Sequence, residues 1–228
     1  MTTPETTKEP QYNILFDVRQ RHGVSELGLM VNESWNEDPK RTLFTLARYK
    51  FVAKMLAGRN HVLEVGCADA FGTRIVQQAV ERVTAVDFDP VFVEDVKRRM
   101  NPNWPLEVSV HDILSGPVKG RYDAVYALDV LEHIPAEQED VMLRNALSPL
   151  NDTGVAIFGM PSLESQAYAS PQSKAGHVNC KTGMDLKKTL ERYFNSVFVF
   201  SMNDEVVHTG YYPMAHYLLA LGCHKKKF

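Results

Sequence analysis

Residues 61–72, HVLEVGCADAFG, give the strongest indication of fold class, because an apolar run ends there in an acidic turn that contains glycine. A short apolar run bounded by glycine is typical of a buried strand. Beyond the turn, apolar residues recur at helical spacing, at Ile75, Val76, Ala79 and Val80. The stretch therefore predicts a strand, a tight turn and a helix.

The same alternation continues along the chain. Further strands are predicted at residues 83–86, 106–110, 122–128 and 155–160, with helices opening at Asp89-Pro90 and near Pro135. Strands that alternate with helices favour right-handed crossovers and a buried parallel sheet. We therefore predict an α/β fold with a doubly wound sheet.

The last quarter of the chain departs from this alternation. A capping box at Thr182 and Asp185 predicts a helix, whose apolar face would be Leu186, Leu190 and Phe194. The β-rich runs 197–200 and 217–221 follow without a long helix between them, so we expect an antiparallel edge pair. Residues 161–181 show no apolar period and are predicted to be a long loop, either a functional lid or disordered.

Residues 1–57 are predicted to be a disordered start followed by a helical cover, and residues 58–228 a single compact domain. The first ten residues are rich in Thr, Pro and Glu, which is typical of disorder. A helix is predicted after Asp38-Pro39 and before Gly58, with one apolar face formed by Phe44, Ala47, Phe51 and Met55.

Composition narrows the class of protein. The 228 residues are 44% hydrophobic and 23% charged, as in an ordinary globular protein. The formal charge of −3 argues against a broad electrostatic surface for binding nucleic acid. Three scattered cysteines, Cys67, Cys180 and Cys223, do not predict a disulfide framework or a zinc site. The N-terminal residues lack a signal-peptide pattern, and the apolar stretch 211–223 is too short to span a bilayer. We expect a cytoplasmic protein and leave a homodimer open.

Acidic side chains are predicted at the carboxyl ends of three strands, where open α/β sheets bind ligands. Glu64 and Asp69 flank the glycine turn, which would repel phosphates and suits a cationic ligand. Asp87 follows Gly66 by 21 residues, where an acid can accept both hydroxyls of a ribose; its alternative role is a strand-end cap. Asp112 could accept an adenine amino proton or act as a turn former. S-adenosylmethionine, a nucleoside with positive charges and no phosphate, matches this set.

The sequence resembles the class I S-adenosylmethionine-dependent methyltransferases through VLEVGCADAFG (62–72), VTAVDFDP (83–90), Asp112 and YDAVYALDVLEHI (122–134). The last segment is similar to the small-molecule branch that contains ubiquinone-type and sugar methyltransferases. The resemblance implies a Rossmann-like sheet of seven strands in the order 3-2-1-4-5-7-6, with strand 7 antiparallel.

The resemblance also implies S-adenosylmethionine as cofactor and S-adenosylhomocysteine as product. The cofactor contacts that it implies are Glu64, Gly66, Cys67, Ala68, Asp87, Phe88, Asp112, Ile113 and Leu128. The family usually has glycine where this chain has Ala68, and often where it has Ala70. Each methyl group narrows the space over the methionine moiety and disfavours left-handed backbone angles, so we expect weakened but not abolished affinity.

Methylation of a hydroxyl needs a general base, and histidine titrates closest to neutrality. His133 is best placed, just past the fourth strand, although it could equally be a packing residue at a helix start. His177, in the predicted loop, is the second candidate, because Gly176-His177-Val178 resembles the family's substrate-side loop. His208 is expected at the surface.

Asp129, Glu132 and His133 have a spacing that could gather one divalent cation, as is thought for the ubiquinone-type relatives. Two carboxylates and one imidazole match a hard-cation site only in part, so we assign no metal ligand and expect Asp129 to close the site or orient the acceptor. From the helical cover, we expect Trp35, Tyr49 or Lys50 to reach the site.

These observations predict a methyltransferase acting on a hydroxyl of a small molecule, such as a sugar or sugar nucleotide. The alternatives are a quinone-precursor or amine methyltransferase and a catalytically inactive cofactor-binding domain. The acidic turn disfavours a nicotinamide dehydrogenase. DNA-base methylation is rejected because the only similar segment, residues 101–104, precedes the third strand.

Overall fold

The computed structural model describes residues 6–228, arranged as one eight-stranded sheet with helices on both faces. The strands are β1 His61–Val65, β2 Arg82–Asp87, β3 Glu107–Val110, β4 Tyr122–Leu128, β5 Leu150–Pro161, β6 Phe194–Met202, β7 Val207–His208 and β8 Tyr217–Lys225. The α-helices are α1 Ile14–His22, α2 Leu29–Glu37, α3 Pro39–Met55, α4 Thr73–Gln77, α5 Pro90–Arg99, α6 Glu139–Leu147, α7 Pro171–Gly176 and α8 Gly183–Glu191.

The sheet order is β3-β2-β1-β4-β5-β8-β6-β7, and β1 to β5 pair in parallel. Strand β8 lies antiparallel between β5 and β6. The predicted order 3-2-1-4-5-7-6 is confirmed, with β8 as the predicted seventh strand. The structure adds β7, a two-residue edge strand antiparallel to β6, which is too short to give an apolar pattern.

Side chains of successive strand residues enter two separate cores, because they alternate between the faces of a sheet. Leu63 belongs to the core covered by α6 and α8, and Val62 to the core covered by α3 and α4. Both faces are therefore buried, which gives the doubly wound arrangement. The reversal of strand order lies between β1 and β4, so the crevice for a ligand is expected above the carboxyl end of β1.

Three predictions about local structure need correction or restriction. Residues 161–181 are not a plain loop but contain a 3-10 helix, Glu164–Tyr168, and α7, which are too short to show an apolar period. Phe194 does not continue the helix of Leu186 and Leu190 but begins β6. Of the predicted disordered start, residues 1–5 lie outside the described residues, and a 3-10 helix occupies Pro10–Tyr12.

Candidate active site

The turn after β1 is built from residues in left-handed backbone conformation. Gly66 has a φ of +75°, and an added Cβ there would fall 2.3 Å from a methyl carbon of Val130. Ala68 and Ala70 have φ values of +45° and +51°. The two positions where alanine replaces the family's glycine therefore adopt the strained conformation that glycine would adopt freely.

Glu64 lies under this turn and not in open solvent, with 1% of its surface exposed. Its carboxylate accepts a 2.6 Å hydrogen bond from the Thr73 hydroxyl. Burial raises the pKa of Glu64 to about 7, and the bond from Thr73 offsets this only in part. Glu64 is thus a buried acid that can change protonation near neutral pH.

The carboxylate of Asp69 hydrogen-bonds to the protein's own backbone, which sequence reasoning did not predict. Its carboxylate accepts hydrogen bonds from the backbone N–H of Val31, at 2.8 Å, and of Phe71, at 3.2 Å. Val31 lies in the first turn of α2, so Asp69 satisfies one of the free donors of that helix. The acid that was expected to favour a cationic ligand attaches the helical cover to the turn.

Asp87 lies at the end of β2, with 6% of its surface exposed. Its two oxygens accept hydrogen bonds from the backbone N–H of Ala68, at 2.8 Å, and of Asp89, at 2.9 Å. Each carboxylate oxygen has a second acceptor position, so these bonds fix the side chain without using its full capacity. Phe88, the next residue, is 73% exposed and presents an apolar ring beside the crevice.

The remaining predicted cofactor residues lie at the same edge of the sheet. Asp112 follows β3, is exposed and caps its own turn by accepting from the Leu114 N–H at 2.9 Å. The side chains of Cys67, Ile113 and Leu128 are buried. Cofactor contacts from these three would therefore involve mainly their backbone.

The segment after β4 and the end of α7 bring together Glu132, His133 and His177. One carboxylate oxygen and one nitrogen from each ring lie within 4.8 Å of one another, and the ring centroids are 5.2 Å apart. His133 Nδ1 is 2.9 Å from the Gly176 carbonyl oxygen, and His177 Nδ1 is 2.9 Å from Gln166 Oε1. The loop containing His177 thus closes onto the turn after β4.

The hydrogen bond to Gly176 fixes the tautomer of His133. A carbonyl oxygen can only accept, so Nδ1 of His133 carries the proton and Nε2 holds the lone pair when the ring is neutral. Burial, followed by the neighbouring His133, lowers the pKa of His177. Nε2 of His133 is therefore free to accept a proton, and His177 lies beside it as a largely neutral ring.

Asp129 is directed to the helical cover and does not join the predicted trio with Glu132 and His133. Its Oδ2 accepts a 2.5 Å hydrogen bond from Nη1 of Arg48, a buried residue of α3. Sequence reasoning missed Arg48, since a single arginine in an amphipathic helix gives no signal of its own. The burial of Arg48 and its contact with Asp129, 81 positions away, become apparent only in the folded structure.

The side chains near His133 can be compared with the ligands that a divalent cation requires. Both carboxylate oxygens of Glu132 are buried without a hydrogen-bond partner, and each neighbouring imidazole has a nitrogen oriented by a hydrogen bond. Glu132, His133 and His177 could hold a cation, which would act as a Lewis acid toward an acceptor oxygen. Asp129 is not part of this cluster of side chains within 4.8 Å of one another.

The cover residues that were expected to reach the site differ in their surroundings. Tyr49 packs against the turn, where a Cβ on Gly72 would fall 2.3 Å from its ring. Trp35 is 56% exposed and Lys50 is also exposed. Contact of any of the three with a ligand stays a prediction, and Tyr49 is the one that touches the predicted turn. Within residues 6–228, no helix has the length and apolarity that crossing a bilayer requires.

Comparison with known proteins agrees with this geometry. Residues 62–154 match the family described as a methyltransferase domain. The chain is 28% identical over 144 residues to the ubiquinone biosynthesis O-methyltransferase of Xanthomonas campestris pv. campestris, strain B100, and the match covers 59% of this chain and 58% of that protein. This chain therefore matches less than two thirds of the length of that relative.

Two solved structures share the fold. The N-methyltransferase NodS from Bradyrhizobium japonicum WM9, in complex with S-adenosylhomocysteine, has a TM-score of 0.60 and 18% identity, covering 83% of this chain and 90% of that one. DhpI, in a complex named DhpI-SAM-HEP, has a TM-score of 0.61 and 18% identity, covering 95% and 99%. Together with the motifs and the sheet order, these matches support the resemblance to the class I S-adenosylmethionine-dependent methyltransferases, whose Rossmann-like fold this chain shares.

Proposed function

We propose that this protein binds S-adenosylmethionine and transfers its methyl group to a hydroxyl of a small molecule, with a sugar or sugar nucleotide as the first candidate. The observation that carries the proposal is the pair of imidazoles, His133 and His177, beside the carboxyl end of β4. A hydroxyl becomes a good nucleophile only as its proton is removed, and this pair offers two nearby proton acceptors.

The cofactor side supports the proposal through the chemistry of its side chains. Asp87 and Asp112 follow neighbouring strands, Phe88 exposes a ring beside them, and residues 64–72 contain no lysine or arginine. This set suits a ribose and an adenine and lacks the cations that phosphates prefer. When bound, S-adenosylmethionine supplies a methyl group on a sulfonium, which needs alignment more than chemical activation.

His133 is the favoured general base. Its Nδ1–H donates to the Gly176 carbonyl, which leaves Nε2 to take the proton from the acceptor hydroxyl. His177 lies at 5.2 Å between ring centroids and can receive that proton or hydrogen-bond the acceptor. Asp129, held by Arg48, is proposed to orient the acceptor.

The test is an assay with S-adenosylmethionine carrying a labelled methyl group. Thymidine diphosphate-rhamnose, catechol and glucosamine serve as sugar-nucleotide, phenol and amine probes, and binding of S-adenosylhomocysteine is measured separately by calorimetry. Transfer to a hydroxyl of the first probe is expected. Preference for catechol or glucosamine would support the quinone-precursor or amine alternative, and binding without transfer to any probe would support an inactive domain.

His133→Gln tests the assigned base. We expect at least a hundredfold loss in kcat with S-adenosylhomocysteine affinity changed less than twofold, because glutamine cannot accept the proton. His208→Gln, at an exposed position in β7, is the matched control and should keep the wild-type rate. Equal rates for the two variants would exclude the assigned role of His133.

A further inference from the structure

Arg48 is a cation buried between aromatic rings in the helical cover. Only 9% of its surface is exposed. Its guanidinium carbon lies 3.8 Å from the centroid of the Tyr217 ring and 4.5 Å from that of Phe44. Aromatic faces attract a guanidinium and match its planar shape, so the two rings fix Arg48 from α3 and from β8.

The ion pair of Arg48 connects the cover to the end of β4. A buried guanidinium needs an anionic partner, and Asp129 provides it at 2.5 Å. Burial works against the charged form of Arg48, but Asp129 and the other neighbours outweigh it, so the pKa of Arg48 lies above its ordinary value. Arg48 therefore stays charged in the folded protein.

Asp129 is constrained by its backbone as well as by Arg48. Its φ is +56°, a left-handed value, and its N–H donates to the Gly159 carbonyl oxygen at 3.0 Å. Its side chain stays 38% exposed, and no residue among 6–228 hydrogen-bonds its Oδ1. Arg48 thus holds one oxygen of Asp129 and leaves the other to accept from a bound molecule.

The fixed carboxylate is also close to the proposed proton acceptors. Asp129 precedes His133 by four residues and acts on His177 electrostatically, favouring its charged form. A donor group of the acceptor molecule that binds Asp129 Oδ1 would be placed on the histidine side of the crevice. An acceptor that bound Asp129 Oδ1 would therefore lie near the proposed proton acceptors.

We propose that Arg48 is a positioning residue, which fixes Asp129 through their ion pair so that Asp129 orients the methyl acceptor. The inference rests on the proposed methyl transfer and adds that the helical cover completes the acceptor side of the site. It assigns to α3 a role in turnover that is separate from binding the cofactor.

The test compares Arg48→Met, Arg48→Lys and Asp129→Asn with a control on the same helix, Arg41→Met. Arg41 forms an exposed ion pair with Glu33 of α2. For the probe that the wild-type enzyme methylates, we expect Arg48→Met to lower kcat at least tenfold, while the KM for S-adenosylmethionine and the Kd for S-adenosylhomocysteine change less than twofold. Arg48→Lys should recover part of kcat, because it keeps the charge without the planar fork.

A double-mutant cycle distinguishes positioning from a general loss of stability. If Arg48 acts through Asp129, the variant with both Arg48→Met and Asp129→Asn should lose no more kcat than the worse single variant. Additive losses in kcat would overturn the proposal. Wild-type kcat in Asp129→Asn would also overturn it. Because Asp129→Asn keeps the side-chain shape, it provides the test if Arg48→Met fails to fold. A wild-type protein inactive toward all three probes would instead refute the proposed methyl transfer itself.

Discussion

The carboxylate of Asp69, in the turn after β1, accepts a 2.8 Å hydrogen bond from the backbone N–H of Val31 in α2. The approach is so close that a Cβ on Gly28, the N-cap of α2, would fall 2.3 Å from Asp69 Oδ2. The helical cover and the proposed cofactor turn are therefore coupled at one carboxylate.

Replacing Asp69 by alanine should release the start of α2. Loss of a helix N-terminal acceptor costs about 1 kcal/mol, so the free energy of unfolding should fall by roughly that amount. Hydrogen exchange should also accelerate at the first amides of α2. Thr182→Ala, which removes the cap of α8, is the matched control and should destabilise the protein without affecting α2. Unchanged exchange at Val31 in Asp69→Ala would contradict the assigned cap.

Glycine at position 68 should stabilise the protein, although glycine usually destabilises. Left-handed alanine costs roughly 1–2 kcal/mol, and the greater freedom of an unfolded glycine costs about 0.5–1 kcal/mol, so Ala68→Gly should gain about 0.5–1 kcal/mol. Ala47→Gly, within α3, should lose about 1 kcal/mol. Chemical denaturation compares the two variants. A loss of stability in Ala68→Gly would show that the turn is not strained there.

Glu64 should make stability fall as pH rises. Its pKa is about 7 in the folded protein and 4.5 ordinarily, so between these values the folded state binds more protons than the unfolded state. The contribution is fully present below pH 4.5 and is lost as pH rises to about 7, on the order of 3 kcal/mol. Unfolding free energies of wild type and Glu64→Gln, measured from pH 4.5 to 8, should differ in slope. Parallel curves would argue against the raised pKa.

The rate of methyl transfer should rise with pH and then level off. A general base works only when neutral, and burial together with His133 lowers the pKa of His177, so His177 reaches its neutral form below the ordinary 6.5. The measurement is kcat against pH for wild type and His177→Asn. If His177 contributes to proton acceptance, the variant should show a lower plateau. A profile that falls from pH 6 to 8 would be inconsistent with His177 as a proton acceptor.

Chelation is expected to leave methyl transfer unchanged, because the proposed mechanism uses the histidine nitrogens as proton acceptors. Glu132, His133 and His177 nevertheless lie within 4.8 Å of one another, so the experiment is informative. The protein is dialysed against a chelator, and its rate and metal content are compared with those of an undialysed sample. A rate lost on dialysis and restored by one divalent cation would assign the three residues to a metal instead.

Much of the fold could be predicted because its signals are local. The alternation of β1 to β5 with helices, the capping box at Thr182 and the antiparallel edge each depend on short-range patterns of apolar and polar residues. The short helices within 161–181 and the two-residue β7 gave no such signal, since neither is long enough to show a period.

The site residues also divide into those that local sequence patterns predict and those whose contacts depend on the tertiary structure. The acids at the strand ends, Glu64, Asp87 and Asp112, could be located from local patterns, because the strand-to-helix alternation fixes which residues reach the carboxyl edge of a parallel sheet. The partner of each side chain became known from the folded chain: Asp69 contacts α2, Asp129 contacts Arg48, and His177 contacts His133. These contacts join segments between about 38 and 81 residues apart in the chain, and such pairs depend on how helices pack on the sheet, which no local pattern encodes.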